Sequence, residues 1–416
     1  MSIFWLRKVI ATVGVAVLLG LVVLTALIPG GTHSINRIAV LTFGCVAILV
    51  AGDAAFRLLV RLRSGRGYVK NSPLSTRNLY IIPHPYFRWI YRPKNEISNP
   101  IPINYPLAKG VYTSSSWITS SLGFVDGPEG NRDISPNKRP EEFRIVCIGA
   151  STTGNYLQTP DGVFSYPSEL EKNLQADGFS NATVVNSGVG GYNSADILVR
   201  FALQTIDLQP DCIIIYHAYN DIRSYLTPGL TSDFAHANQS LAGTYWKFQV
   251  AEAIPTFGLA ALDYFRAKFL AGNIRNSLLS VTARGTVDLT LDPTSGLEVY
   301  RRNIQSIIDL AKSRDIEVVL GTYCHFLYEE IQHDSLHLRY HEIVGRENQI
   351  MLELAEANEL LLVDNASEIP PDEEFFVDSI HFNPSGMAWL AGNFAGAIKS
   401  ILTDRPNSDL YGTAEK

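Results

Sequence analysis

The stretch Phe143–Tyr156, FRIVCIGASTTGNY, decides the fold. An apolar, β-branched run stops abruptly in Gly-Ala-Ser-Thr-Thr-Gly, the layout of a strand entering a tight turn ahead of a helix. Gly149 and Gly154 have the spacing of a phosphate-cradling P-loop. That motif needs Lys and then Ser or Thr after the second glycine, and Asn155 and Tyr156 stand there instead. The other reading presents Ser151 as a nucleophile at the strand's end. The G-x-S-x-G elbow fails because position 153 is Thr, so such a serine belongs to another hydrolase fold. Ser151 alone reads equally well as a helix N-cap. The catalytic reading therefore needs a base and an oxyanion site from elsewhere in the chain.

Downstream, apolar runs alternate with amphipathic ones. RIVCIG, ATVVNSGVGG, PDCIIIYHAYND, IEVVLGTYCH and ELLLVDN read as strands. FSYPSELEKNLQA, SADILVRFALQTI, LEVYRRNIQSIIDLAKSR, RENQIMLELAEAN and NPSGMAWLAGNFAGAIKSIL read as helices, the last with Asn383 as N-cap and Pro384 in its first turn. Such alternation predicts an α/β fold, a parallel sheet covered on both faces. Ligands of such sheets bind beyond the strands' C-terminal ends. Ser151, Gly190–Gly191, Asn220–Asp221 and the loop before His381 all fall there.

Upstream, residues 64–142 are rich in Pro, Asn, Ser and Tyr and predict a connecting subdomain of short strands and loops. Residues 143–404 form the main domain, and 405–416 a tail. Residues 222–295 are an insertion. Its aromatic stretch YWKFQVAEAIPTFGLAALDYFRAKFL reads as a helix on the sheet's edge or as a lid over Ser151.

Residues 1–63 predict a membrane anchor of one or two transmembrane helices. Val9–Ile28 is apolar and uncharged, long enough to cross a bilayer core of ~30 Å. Ile38–Ala55 is a second apolar run, interrupted by Asp53, that reads as a second span or as an interfacial helix. Residues 1–70 hold eight Lys and Arg against one acid, a balance of +7; the rest of the 416-residue chain carries −14. Basic flanks favour the cytoplasmic side, so at an inner or plasma membrane a hairpin places the main domain in the cytoplasm and a single span puts it outside. The acidic main domain lacks the basic surface that nucleic acid requires. The four cysteines show neither metal-site nor disulfide spacing.

Serine hydrolysis needs a nucleophile, an oriented base and donors for the oxyanion. FFVDSIHFNPSG sets Asp378 three residues before His381. NSGVGGYNS offers the Gly191 N–H, and HAYND the Asn220 amide. Taken singly these read as a solvated loop pair and a capped turn. Together and in this order, IGASTT, NSGVGGYNS, AYND and DSIH resemble the SGNH (GDSL-like) hydrolase family over residues 143–402. The resemblance implies a flavodoxin-like three-layer α/β/α fold. It also implies a triad of Ser151, Asp378 and His381, and an oxyanion hole of the Ser151 and Gly191 N–H groups with Asn220. It implies an ester substrate, a small molecule or an acylated glycan, and no cofactor. A GF dipeptide upstream of the linker is similar to membrane-anchored bacterial members tied to surface-polysaccharide modification. Two positions depart from the pattern: Ala150 replaces an Asp, and Ala218 a Gly. A silent carbohydrate-binding or scaffold subunit, and a lipid-directed lipase or thioesterase, are the competing readings. His333, His337 and His341 would share one face of a helix, as metal ligands do, but solvated histidines read the same way. No metal is expected. His217 reads as a packed residue and Asp221 as structural.

Overall fold

The structure is a computed structural model, and it describes residues 34–64, 81–94, 106–107, 113–114, 118–127, 130–159, 162–238, 245–253, 259–265 and 286–403. The chain divides into two compact units. One combines Met1–Leu79 with Thr244–Leu279; the other combines Tyr80–Gly243 with Ser280–Lys416.

In the second unit, five parallel strands form the sheet: β1 (Phe143–Gly149), β2 (Ala182–Asn186), β3 (Cys212–Tyr216), β4 (Glu317–Gly321) and β5 (Leu361–Val363). Their order across the sheet is β5-β4-β3-β1-β2. β1 and β3 pair in register from Ile145↔Cys212 to Gly149↔Tyr216. Every residue of β1, β2 and β3 is buried, which explains their near-continuous apolar reading. Helices α1 (Tyr166–Ala176), α2 (Ser194–Leu203), α3 (Thr294–Lys312), α4 (Ser335–Asn358) and α5 (Pro384–Thr403) cover it. α1 packs with α5, and α3 with α2 and α4. This is the predicted three-layer flavodoxin-like arrangement. Its topological switch point lies between β1 and β3.

Local chemistry starts these helices. Ser165 caps α1 reciprocally with Ser168, and Asn193 caps α2 with Asp196. Asn383 Oδ1 accepts the Gly386 N–H at 3.0 Å at the head of α5. α4 begins at Ser335, capped by Asp334, well before the Arg346 start that the sequence predicts. Upstream, Ile81–Ile82 pairs antiparallel with Ile90–Tyr91. Thr113–Ser114 joins Leu157–Thr159 and Gly162–Phe164 in a small antiparallel sheet.

In the first unit, the helix Ser34–Ser64 covers the second apolar run. Asp53, the interruption in that run, is buried and bound. It lies 2.7 Å from Arg57 Nε and accepts the Ala261 N–H at 2.8 Å, at the head of the helix Ala260–Phe265. Among the described residues no helix is long and apolar enough to cross a membrane. Asp53 is the one charge within Ile38–Ala55, and among the described residues the predicted second span is not found. Val9–Ile28, the predicted first span, lies outside the described residues, as does the 405–416 tail.

Candidate active site

β1 ends at Gly149, and one helical turn, Ser151–Gly154, follows. Close packing dictates its glycines. A methyl group on Gly149 would lie 2.2 Å from Thr153 Oγ1 and 2.5 Å from the Tyr216 carbonyl oxygen. The spacing that imitates a phosphate loop thus reflects crowding at the C-terminal end of β1. Asn186, at the end of β2, ties this turn to the next loop. Its Nδ2 donates to Thr153 O at 2.8 Å and its Oδ1 accepts the Gly188 N–H at 3.0 Å.

The loop Phe375–Asn383 closes on itself through Val377 N–H to His381 O (2.8 Å) and Asn383 N–H to Phe375 O (3.0 Å). Within it, Asp378 Oδ1 accepts the Ile380 and His381 N–H groups at 2.8 and 2.7 Å. Asp378 Oδ2 lies 2.7 Å from His381 Nδ1. His381 Nε2 lies 2.9 Å from Ser151 Oγ. The three sequence-predicted triad residues therefore stand in one hydrogen-bonded chain. The His381 and Asp378 side chains are 18% and 21% exposed, open enough for a substrate to approach. Burial alone would raise the Asp378 carboxyl. The His381 hydrogen bond and charge, with the two backbone N–H groups, outweigh it and hold the carboxyl below its usual range. Such a chain can transfer the serine proton to the imidazole while the carboxylate fixes the ring and stabilises its cationic form.

Beyond β3, the Asn220 N–H donates to Ala218 O at 2.8 Å across Tyr219, whose φ is 68°. This is a γ-turn of the uncommon hand. Asn220 Nδ2 donates to Tyr192 O at 2.9 Å. An amide nitrogen carries two hydrogens, so one more N–H remains to donate. Gly191 has φ 77°, which favours glycine. Its neighbour Gly190 borders the serine: a methyl group there would lie 3.9 Å from Ser151 Cβ. Asp221 is buried beneath the turn, accepting the Ser194 N–H at 2.9 Å, and His217 Nε2 packs 2.7 Å from its Oδ2. Ala150 and Ala218 are buried.

The histidine trio does not share a helix face. His333 is exposed and precedes α4, His337 Nδ1 lies 2.8 Å from Asp334 Oδ1, and His341 Nδ1 lies 3.1 Å from His325 Nδ1. Burial, then the neighbouring His341 and His337, push His325 down to about 3. Among the described residues no group of three or more His, Cys, Asp or Glu is placed to hold a metal ion.

Sequence reasoning misses Arg88, Tyr91 and Glu347, which contact the two loops carrying Gly191 and Asn220. A signal exists for Glu347 alone. It falls on the apolar stripe of α4 with Ile343, Val344, Ile350 and Met351, so it must point inward.

The model of the GDSL-like Lipase/Acylhydrolase family matches residues 147–389. The chain belongs to the GDSL-like lipase/acylhydrolase family. As a member of that family of lipases and acylhydrolases it is an ester-hydrolysing enzyme. Solved structures similar to it include a lipase/acylhydrolase from Enterococcus faecalis, at 18% identity over 62% of this chain and 96% of that one, TM-score 0.38. An acetylxylan esterase from Geobacillus stearothermophilus, solved as a catalytic mutant, is similar at 16% identity over 63% and 96%, TM-score 0.38. A GDSL-like lipase from Bacteroides thetaiotaomicron is similar at 15% identity over 65% and 92%, TM-score 0.36. No curated protein matches the chain.

Proposed function

We propose that this GDSL-like enzyme is a membrane-anchored serine esterase or O-acyltransferase acting on acyl esters, with an acylated glycan as the first substrate class to assay. The reading rests above all on the unbroken chain Ser151 Oγ–His381 Nε2 and His381 Nδ1–Asp378 Oδ2, at 2.9 and 2.7 Å. Ser151 Oγ attacks the ester carbonyl as His381 Nε2 takes its proton, and Asp378 stabilises the imidazolium. The oxyanion accepts the Ser151 and Gly191 N–H groups and the Asn220 amide. The intermediate collapses, the C–O bond to the alcohol breaks, and His381 returns the proton to the leaving oxygen. Water, deprotonated by His381, then releases the acid; a sugar hydroxyl in its place receives the acyl group.

Anchoring is read from the uncharged run Val9–Ile28 and the basic balance of residues 1–70. The helix Ser34–Ser64 adds exposed apolar side chains at Val46, Leu49, Val50, Leu58 and Leu62. Fluorophosphonate labelling of the full chain in membranes tests the chemistry, and protease accessibility of the main domain reports its side. Labelling of the wild type and none of Ser151→Ala is expected. An unlabelled wild type that still binds glycan would replace the enzyme reading with the scaffold one.

A further inference from the structure

The Gly191 N–H sits in a glycine pair, Gly190–Gly191. Gly190 and Gly191 both lack a Cβ, and two consecutive glycines leave the peptide between them free to rotate. Yet an oxyanion donor is effective only when it is fixed before the charge develops. The family domain closes this turn with one bond of its own, Tyr192 N–H to Val189 O at 3.2 Å, and the Gly190 N–H and the Gly191 carbonyl find their partners elsewhere.

The holding groups come from the strand and turn at 87–92, more than fifty residues ahead of the family match at 147–389. The Arg88 guanidinium donates through Nη2 to the Gly191 carbonyl oxygen. The same group pairs with Asp196 Oδ2 at 2.9 Å and donates from Nη1 to Asn238 Oδ1 at 2.8 Å. It lies 4.1 Å over the Trp89 ring, with its side chain 9% exposed. Four anchors leave the guanidinium one orientation. On the other flank, the Tyr91 hydroxyl accepts the Gly190 N–H at 3.2 Å. The peptide that carries the Gly191 N–H is therefore bracketed: the peptide before it is held by Tyr91 and the peptide after it by Arg88. The same strand reaches the second donor. Tyr192 OH donates to Trp89 O, and Tyr192 O receives the Asn220 amide at 2.9 Å.

We propose that Arg88 and Tyr91 are positioning residues that fix the Gly191 oxyanion donor, so that the segment ahead of the family domain completes the active site. The inference rests on the serine-hydrolase reading of Ser151. It makes the segment 81–94 part of the catalytic apparatus rather than a connector.

Tyr91→Phe and Arg88→Lys are compared with wild type on a small acetyl ester and with a trifluoromethyl ketone, whose Ser151 adduct bears an oxyanion. Each variant is expected to lower kcat about tenfold with KM unchanged, and to weaken the ketone by the same factor at an unchanged melting temperature. Arg88→Lys retains the charge but not the fork that reaches Gly191, Asp196 and Asn238 together. Should Arg88→Lys fold poorly because Asp196 loses its partner, Tyr91→Phe carries the test alone, since it deletes one oxygen. Wild-type kcat and ketone affinity in Tyr91→Phe, or a KM change with kcat intact, would overturn the inference. Absence of Ser151 labelling in the wild type would instead remove the reading on which it rests.

Discussion

Gly154 and Gly188 meet backbone to backbone. A methyl group on Gly188 would lie 2.2 Å from Gly154 N, and one on Gly154 2.7 Å from Gly188 O. This contact clamps the Ser151 turn against the loop leading to Gly191, with no side chain between them. Gly188→Ala must push the two loops apart. It is expected to cost about 1–3 kcal/mol of stability, the usual range for overpacking, and to lower kcat with it. Chemical denaturation and initial rates on an acetyl ester check both. Wild-type values for the variant would mean the loops part freely, and the clamp would be discarded.

Glu347 holds the Asn220 turn from below. Its Oε2 accepts the Tyr219 N–H at 3.0 Å and its Oε1 the Tyr225 hydroxyl at 2.8 Å. Burial, then the Asp221 charge, keep its carboxyl well above the usual 4.5. Folded chains thus retain a proton that unfolded chains have lost, and stability falls as pH rises above 4.5 toward the raised folded value. Glu347→Gln keeps the shape and can keep both hydrogen bonds without titrating. Its stability should match wild type below pH 4.5 and exceed it increasingly as pH rises from there toward the raised folded value. Glu347→Ala should lower kcat at every pH, because the Tyr219 N–H loses its anchor. Denaturation midpoints from ~pH 4 to ~pH 8 decide the first point, and a constant difference between Gln and Glu would refute it.

Asn220 donates to Tyr192 O with one amide hydrogen and is proposed to meet the oxyanion with the other. Asn220→Ala is expected to lower kcat about 10²–10³-fold, the cost of one lost oxyanion donor, with little change in KM. Asn220→Asp should be at least as slow, since a carboxylate presents no N–H. A kcat loss under threefold in Asn220→Ala would leave the oxyanion to the backbone donors alone.

The parallel sheet is legible because burial on both faces writes itself as apolar runs, as in CIIIY of β3. Asp378 and His381 are legible because three residues suffice to close the turn in which Asp378 accepts the His381 N–H. Long-range polar partners leave no such mark. Arg88 and Gly191 are 103 residues apart, Tyr91 and Gly190 are 99, and nothing periodic connects them. The histidine spacing misleads because Asp334 caps α4 after His333 and puts that residue outside the helix. Ala150 and Ala218 read as departures, yet both are buried small side chains, and the Ser151–His381 contact forms with them in place.

Asp378 offers the sharpest separation of chemistry from stability. Its carboxyl is held below the usual 3.8 because the His381 and backbone hydrogen bonds outweigh its burial. A carboxylate depressed in the folded state contributes stability that is fully present above 3.8 and is lost as pH falls through the folded value. Asp378→Asn removes that contribution, so the gap in stability between wild type and variant should be constant above pH 3.8 and close below it. The catalytic effect should follow a different rule. The amide no longer stabilises the imidazolium or selects the tautomer whose Nε2 accepts the serine proton. A loss on the order of 10⁴ in kcat is expected, with Ser151–His381 geometry retained. Rates and denaturation curves on one variant therefore test both claims. If Asp378→Asn turned over at the wild-type rate, the carboxylate would have no part in the reaction, and the triad would reduce to Ser151 and His381.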